Sequence, residues 1–285
     1  MIAQTRSQPL DSPCTLPHSV VPYPPFQQSE VGFCMAQALP RSSFTSSRLV
    51  RVLAEMAVVE VGEGRPTVAE RLGQWLDFTD SIALSGALAG GGSLRGAAPA
   101  AGAETLRAEY ARVRNFLAES IVNDGVLNPG PSRVKLPLPA LGAATESAAD
   151  FDPYHRYVLA HQRDMGGSIA PLRANARAAL AGRSPALKQL ADLDAVLEQA
   201  LGARERNLLA TVPLLLARRF AHLHAAHVAA MGERADDVQR WLQPGGWLTA
   251  FCKDLRAVLL AELELRLAPV AGLTETLGNE EVTQQ

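Results

Sequence analysis

The chain has 285 residues, 47% of them hydrophobic and 5% aromatic, and its 27 basic and 29 acidic side chains leave a formal net charge of −2. A mean hydropathy of +0.02 speaks against a membrane-embedded chain, and near-neutral charge lacks the basic excess that non-specific nucleic-acid binding requires. Cys14, Cys34 and Cys252 sit at no metal-binding spacing, which argues against a disulfide framework and for a cytoplasmic protein.

Residues 1–44 read as a disordered tail. Pro9, Pro13, Pro17, Pro22, Pro24 and Pro25 interrupt every apolar run before it could form a signal-peptide core, and Met35 offers an alternative start. Helical spacing begins at Ser46, with Leu49, Val52, Leu53, Met56 and Ala57 on one face, and Gly62, Gly64 and Pro66 end the run. Thr67 and Glu70 have the spacing of a capping box, opening a second helix whose stripe of Val68, Leu72, Trp75, Leu76, Thr79 and Ala83 continues to Leu88. A Gly- and Ala-rich connection follows. The third helix is expected over 104–122, with Leu106, Tyr110, Val113, Leu117 and Ile121 at spacings of four and three.

These helices form an N-terminal segment over 45–123, and a Pro- and Gly-rich linker over 124–150 separates it from a second segment over 151–270. Asp152 and Pro153 give the N-cap and first residue of a fourth helix, which Pro171 should kink. Ser184 and Pro185 repeat that start signal. They open one long fifth segment that runs through Leu187, Leu197, Leu208 and Val212 to about Met231, with a kink expected at Pro213. So short a break between them predicts an antiparallel helical hairpin over about 153–231. A last helix is expected over 247–267, stopped by Pro269, with 271–285 as a tail. No run alternates with period two, so the fold class is all-α: an elongated helical bundle built on the long hairpin. The longest apolar run, 208–217, covers only ~15 Å as a helix against a ~30 Å hydrocarbon core, so no membrane insertion is expected.

Charge is uneven along the chain. Residues 151–231 hold ten Lys and Arg against six Asp and Glu, a net of +4, and residues 232–285 hold five against nine, a net of −4. The hairpin could therefore attract the last helix, although exposed pairs contribute only ~0–1 kcal/mol each. The +4 segment is also the sole basis for reading a nucleic-acid-binding hairpin.

Candidate sites are few. His222, His224 and His227 crowd the HLHAAH stretch, with His155 and His161 on the preceding helix, which invites a metal centre. Helical geometry weakens it, because His222 lies ~160° from His224 and no carboxylate stands at i+3 or i+4. The histidines read first as packing or solvated side chains. Asp77 and Asp80, beside Trp75, could form an acid and base pair, or simply a polar helix face. The stretch GGGSLRG at 90–96 lacks the lysine and spacing of a P-loop, and Cys252 beside Phe251 reads as a small core residue.

Several segments together carry a family resemblance: GQWLDFTDSIALSGAL at 73–88, FDPYHRYVLAHQRDM at 151–165, RERNLLATVPLLLARRFAHL at 204–223 and WLTAFCKDLRAVLLAELELRLAPVAGL at 247–273. Over about residues 36–275 the chain resembles a proteobacterial domain-of-unknown-function family, number 3348. The resemblance supplies no catalytic residues. It implies relatives encoded beside membrane proteins with an OmpA-like or MotB-like peptidoglycan-binding part and a partner of the flagellar-stator type.

The expectation is a non-enzymatic helical scaffold or adaptor with no cofactor and no catalytic residue, associated with such an envelope complex. Trp75, Asp77, Asp80, Arg218 and Arg219 are its candidate interaction residues, and its partner is another helical protein or a second copy. The other reading is a metal- or ligand-binding protein, or an enzyme, that uses His222, His224 and His227 with Asp77 or Asp80 brought near by folding.

Overall fold

The chain divides into two units, Met1–Pro40 and Arg41–Gln285. The computed structural model describes residues 47–56, 68–89, 102–128, 130–139, 149–232 and 236–283, all in the second unit. The expected tail, Thr67 and the GGGSLRG stretch lie outside the described residues. Among the described residues the structure is all-α with no strand: α1 (Arg48–Glu55), α2 (Val68–Trp75), α3 (Phe78–Ala89), α4 (Ala103–Val122), α5 (Asp152–Ala181), α6 (Pro185–Leu209), α7 (Val212–Met231) and α8 (Trp247–Thr283), with a 3-10 turn at Val238–Arg240.

The core is built around α8. Leu248, Phe251, Leu255, Val258, Leu259, Leu263 and Val270 are almost wholly buried. Helices α1, α4, α5, α6 and α7 all pack against this one helix. A helix apolar on most of its circumference can be satisfied only in the interior, which is why the chain's last helix becomes its central one.

Helices α5 and α6 fold back on one another, and the register shows in the contacts. Arg173 pairs with Asp194 and Glu198, and Gln162 reaches the Leu209 carbonyl. Partner numbers rise as the first numbers fall, as antiparallel pairing requires. The Ser184 signal is met as read, because its hydroxyl accepts the Leu187 N–H at 3.3 Å and Pro185 follows as a first-turn residue. The other helix starts one residue earlier than expected: Asp152 is its first residue, Phe151 stands at the N-cap without a side-chain cap, and the Asp150 carboxylate accepts the Asp152 N–H at 3.0 Å.

Three prolines behave differently. Pro171 stands inside an unbroken α5, where it is exposed and the carbonyl it leaves unpaired belongs to exposed Gly167. Pro213 is buried, and there the expected single long arm divides: α6 ends at Leu209, and α7 begins at Val212. The carbonyl orphaned by Pro213 is that of Leu209, four residues earlier, and Gln162 Nε2 donates to it at 3.3 Å. Pro269 fails to stop α8, which runs on to Thr283 and makes helix of most of the stretch read as a tail. Val270, Leu273 and Leu277 beyond it are buried, and sealing those side chains outweighs the ~3 kcal/mol that an interior proline costs.

The expected second helix is likewise two. Leu76 and Asp77 interrupt it, and α3 starts afresh at Phe78. In the stretch read as a linker, residues 124–128 form a tight turn. The Asp124 carboxylate accepts the N–H groups of Val126, Leu127 and Asn128 at 2.7–3.1 Å, and Gly125 takes φ 76°. Arg256 of α8 closes on the same carboxylate. An ion pair of the kind anticipated from the charge asymmetry joins Arg219 of α7 to Asp254 of α8 at 2.8 Å.

Candidate functional site

The densest constellation of polar and aromatic groups lies where α7 ends against the start of α8. Phe220, His224 and His227 recur at i, i+4 and i+7 and so share a face of α7. A turn brings two tryptophans onto that face. Pro244 and Gly245, at φ 88°, occupy its centre, and the Gly246 N–H closes it on the Gln243 carbonyl at 2.8 Å. Any side chain on Gly246 would meet the Trp241 carbonyl at 2.1 Å, so the position admits glycine alone. Trp241 and Trp247, both buried, are tilted against each other with ring centroids 5.1 Å apart. His224 lies 5.1 Å from the Trp247 ring, and His227 lies 6.3 Å from Trp241. Phe220 continues the cluster to Tyr154 and Phe251.

One carboxylate ties this cluster together. Asp236 Oδ1 accepts the Trp241 Nε1–H at 3.0 Å and lies 3.0 Å from His227 Nε2. Burial works to raise the Asp236 carboxyl, but the Trp241 and His227 hydrogen bonds prevail and hold it below the usual carboxylate range. Asp236 comes nine residues after His227 and beyond the end of α7, so helical spacing gives no sign of it.

Of the three clustered histidines, His222 is exposed, while His224 and His227 are half-buried against the tryptophans. Among the described residues no group of three or more His, Cys, Asp or Glu is placed to hold a metal ion. The arrangement is an aromatic seal, with His227 and Asp236 as its polar clasp. His161 on α5 is apart from it, buried against Tyr157 with ring centroids 4.6 Å apart, and burial pushes its pKa down to about 4. Cys252 is buried beside Phe251, and burial pushes its thiol up to about 12, far from a reactive thiolate.

Asp77 and Asp80 are brought together, as a helix start. Asp77 Oδ1 accepts the Asp80 N–H at 2.7 Å, and Asp80 Oδ2 accepts the Asp77 N–H at 3.2 Å. This reciprocal capping box explains why the stripe breaks at Leu76: an aspartate satisfies free amides at an N-cap better than it serves a helix interior. Trp75, on α2, receives the Arg204 guanidinium of α6 at 5.2 Å from its ring centroid. Arg218 is exposed. Arg219 is committed internally, to Asp254 and to the Met56 carbonyl at the end of α1.

Two polar groupings escaped the sequence reading. On α8, Glu262 is fully buried, accepts Gln162 Nε2 at 3.0 Å, and pairs with Arg266 at 2.7 Å. Between α5 and α6, Arg173 grips Asp194 through two hydrogen bonds of 2.8 and 2.6 Å, and Arg177 bridges Asp194 and Glu198. An i, i+4 carboxylate and arginine pair, such as Glu262 and Arg266, is visible in sequence. Its burial is not.

The chain matches the model of a family described as a protein of unknown function, DUF3348, over residues 35–279. It belongs to that family. The DUF3348 match covers all the helices that build the core, from α1 through most of α8. No curated protein and no solved structure matches the chain. Among the described residues no helix is long and apolar enough to cross a membrane.

Proposed function

We propose that this DUF3348 protein is a helical scaffold or adaptor that acts by binding, with α3 as the face it offers to a helix of its partner. One observation carries the reading. Phe78 is 81% exposed, Ile82 58% and Leu88 56%, on a helix with no buried residue. The helix is held to the body by its other side, through α6. Phe78 and Ile82 stand at i and i+4 and form one ridge, and an amphipathic helix laid against that ridge would remove both side chains from water. Contiguous exposed apolar surface of this kind marks interaction sites more often than idle surface.

The partner is an apolar-faced helix. It belongs to a component of the OmpA-like or MotB-like envelope assemblies that the family resemblance implies, or to a second copy. The test uses the full chain carrying a photo-crosslinking residue at exposed Ser85, with and without the Phe78→Asp and Ile82→Asp pair. The expected result is one crosslinked partner, identified by mass and lost in the double variant, whose melting temperature is unchanged. Retention of that partner by the double variant overturns the reading, and light scattering on the purified chain distinguishes self-association.

A further inference from the structure

Among the described residues two helix faces stand uncovered and complement one another. The first is the ridge of Phe78 and Ile82 on α3. The second lies on α7, where Leu214, Arg218, Ala221, Ala225 and Val228 are all exposed at alternating spacings of four and three. That spacing keeps the five along one seam of the helix, as in a coiled coil. Leu214 is 64% exposed and Val228 50%, while Ala221 and Ala225 between them leave room for larger side chains from outside.

The charges match as well. Helix α3 has no basic residue, and exposed Asp77 caps its start by accepting the Asp80 N–H. Helix α7 has no acidic residue. Its Arg219 is held by Asp254, whereas exposed Arg218 makes no ion pair among the described residues.

One second copy can cover both faces. Helix α3 runs antiparallel to α6: Arg204 lies over Trp75 just before α3, and Gln189 Nε2 donates to the Leu88 carbonyl near its end. Beyond Arg204 the arm continues by steps of three and four through exposed Leu208 and Thr211 into the α7 seam. Ala210 and Thr211 keep helical dihedrals at the joint, with φ −64° and −80°. Two copies on a two-fold axis, with these arms antiparallel, lay the α3 of each on the α7 of the other. Each α3 then runs parallel to the α7 it meets. That sets Asp77 beside Arg218, and Phe78 and Ile82 against Ala221 and Ala225.

Area favours two such contacts over one. A helix of 12 residues is ~18 Å long and ~10–12 Å across, so one side of it offers roughly 300 Å². A standard interface takes ~800 Å² from each partner. Both faces on both copies together bury roughly 1,200 Å², the lower end for a specific pair.

We infer that α7 of a second copy occupies the α3 ridge, in a two-fold dimer that dissociates on dilution in the micromolar range. The inference rests on the docking role proposed for α3 and narrows it to one partner. Sedimentation equilibrium of the full chain should give twice the chain mass when concentrated. Below about 1 µM it should give the monomer mass, and unfolding measurements there read the monomer. Ala221→Glu sets a carboxylate under Phe78 from an exposed position. It should weaken association on the order of tenfold and leave the melting temperature of the dilute monomer unchanged, as should Ile82→Asp. Arg218→Glu should weaken it about fivefold, with Arg218→Lys close to unchanged. From a photo-crosslinking residue at Ser85, in a mixture of isotope-labelled and unlabelled chains, the crosslink should join two copies and map to α7 beyond Arg219.

A monomer at every concentration, a dimer indifferent to Ala221→Glu, or a crosslink from α3 to α3 would each overturn the inference. A monomer that still crosslinks to a different protein, lost with the Phe78→Asp and Ile82→Asp pair, overturns this inference alone and leaves the docking role of α3 standing.

Discussion

Helices α8 and α3 are both rich in apolar residues, yet they meet opposite fates. Around α8 five helices close, and Phe251 is 0% exposed; on α3 no residue is buried, and Phe78 is 81% exposed. Apolar content alone therefore does not place a helix. What differs is circumference and length. The apolar positions of α8 spread round 37 residues and can meet several neighbours, whereas α3 has 12 residues and is held by one helix. One helix holds the fold together. The other leaves Phe78, Ile82 and Leu88 in water.

The same substitution in the two helices gives the widest contrast. Phe251→Ala removes a ring packed against Phe151, Tyr154 and Phe220 and should lower stability by about 3–5 kcal/mol in denaturant unfolding. Phe78→Ala should change it by less than about 0.5 kcal/mol. A cost above about 1.5 kcal/mol at Phe78 would break the comparison, because it would mean the ring is already buried in solution.

The body should also respond to pH. Burial lowers His161 to about 4, with Asp164 opposing, so as pH falls the unfolded chain, near 6.5, takes up the proton first. Stability is then full above pH 6.5 and declines by about 3 kcal/mol as pH falls toward 4, where it levels off. Unfolding curves of the His161→Phe variant should lack that slope.

Smaller again is the turn that follows α4. Burial works to raise the Asp124 carboxyl, but the N–H groups of Asn128, Val126 and Leu127 and the Arg256 side chain prevail and keep it below the usual range. The stability this contributes is present above the unfolded carboxylate's pKa and is lost as pH falls through the folded one. Asp124→Ala strands those donors and should cost about 1–3 kcal/mol at neutral pH, measured by chemical unfolding.

Periodicity made the helices legible, and with them the all-α class, because spacing of three and four is a local property that Leu106, Leu117 and Ile121 satisfy wherever the helix is later placed. Prolines misled. Pro213 and Pro269 carry the same local signal, but one breaks a helix and the other is overridden by the burial of Val270, Leu273 and Leu277, a tertiary effect. Asp77 was visible as one of a carboxylate pair, and its role as a cap depended on which amides the break at Leu76 exposed. Asp236 could not be paired with His227 from sequence, since it lies beyond the end of α7 and only the fold brings it to the helix. The pairing of Arg173 with Asp194 is equally silent: the two come from different helices, and only packing makes them neighbours.

The joint between α6 and α7 has a mechanical consequence. Gln162 fills the gap that Pro213 leaves at the Leu209 carbonyl and, with the same amide, holds Glu262 of α8, so three parts of the chain are riveted at one point. A force applied to α6 would pass through this joint into the central helix instead of dissipating between α6 and α7.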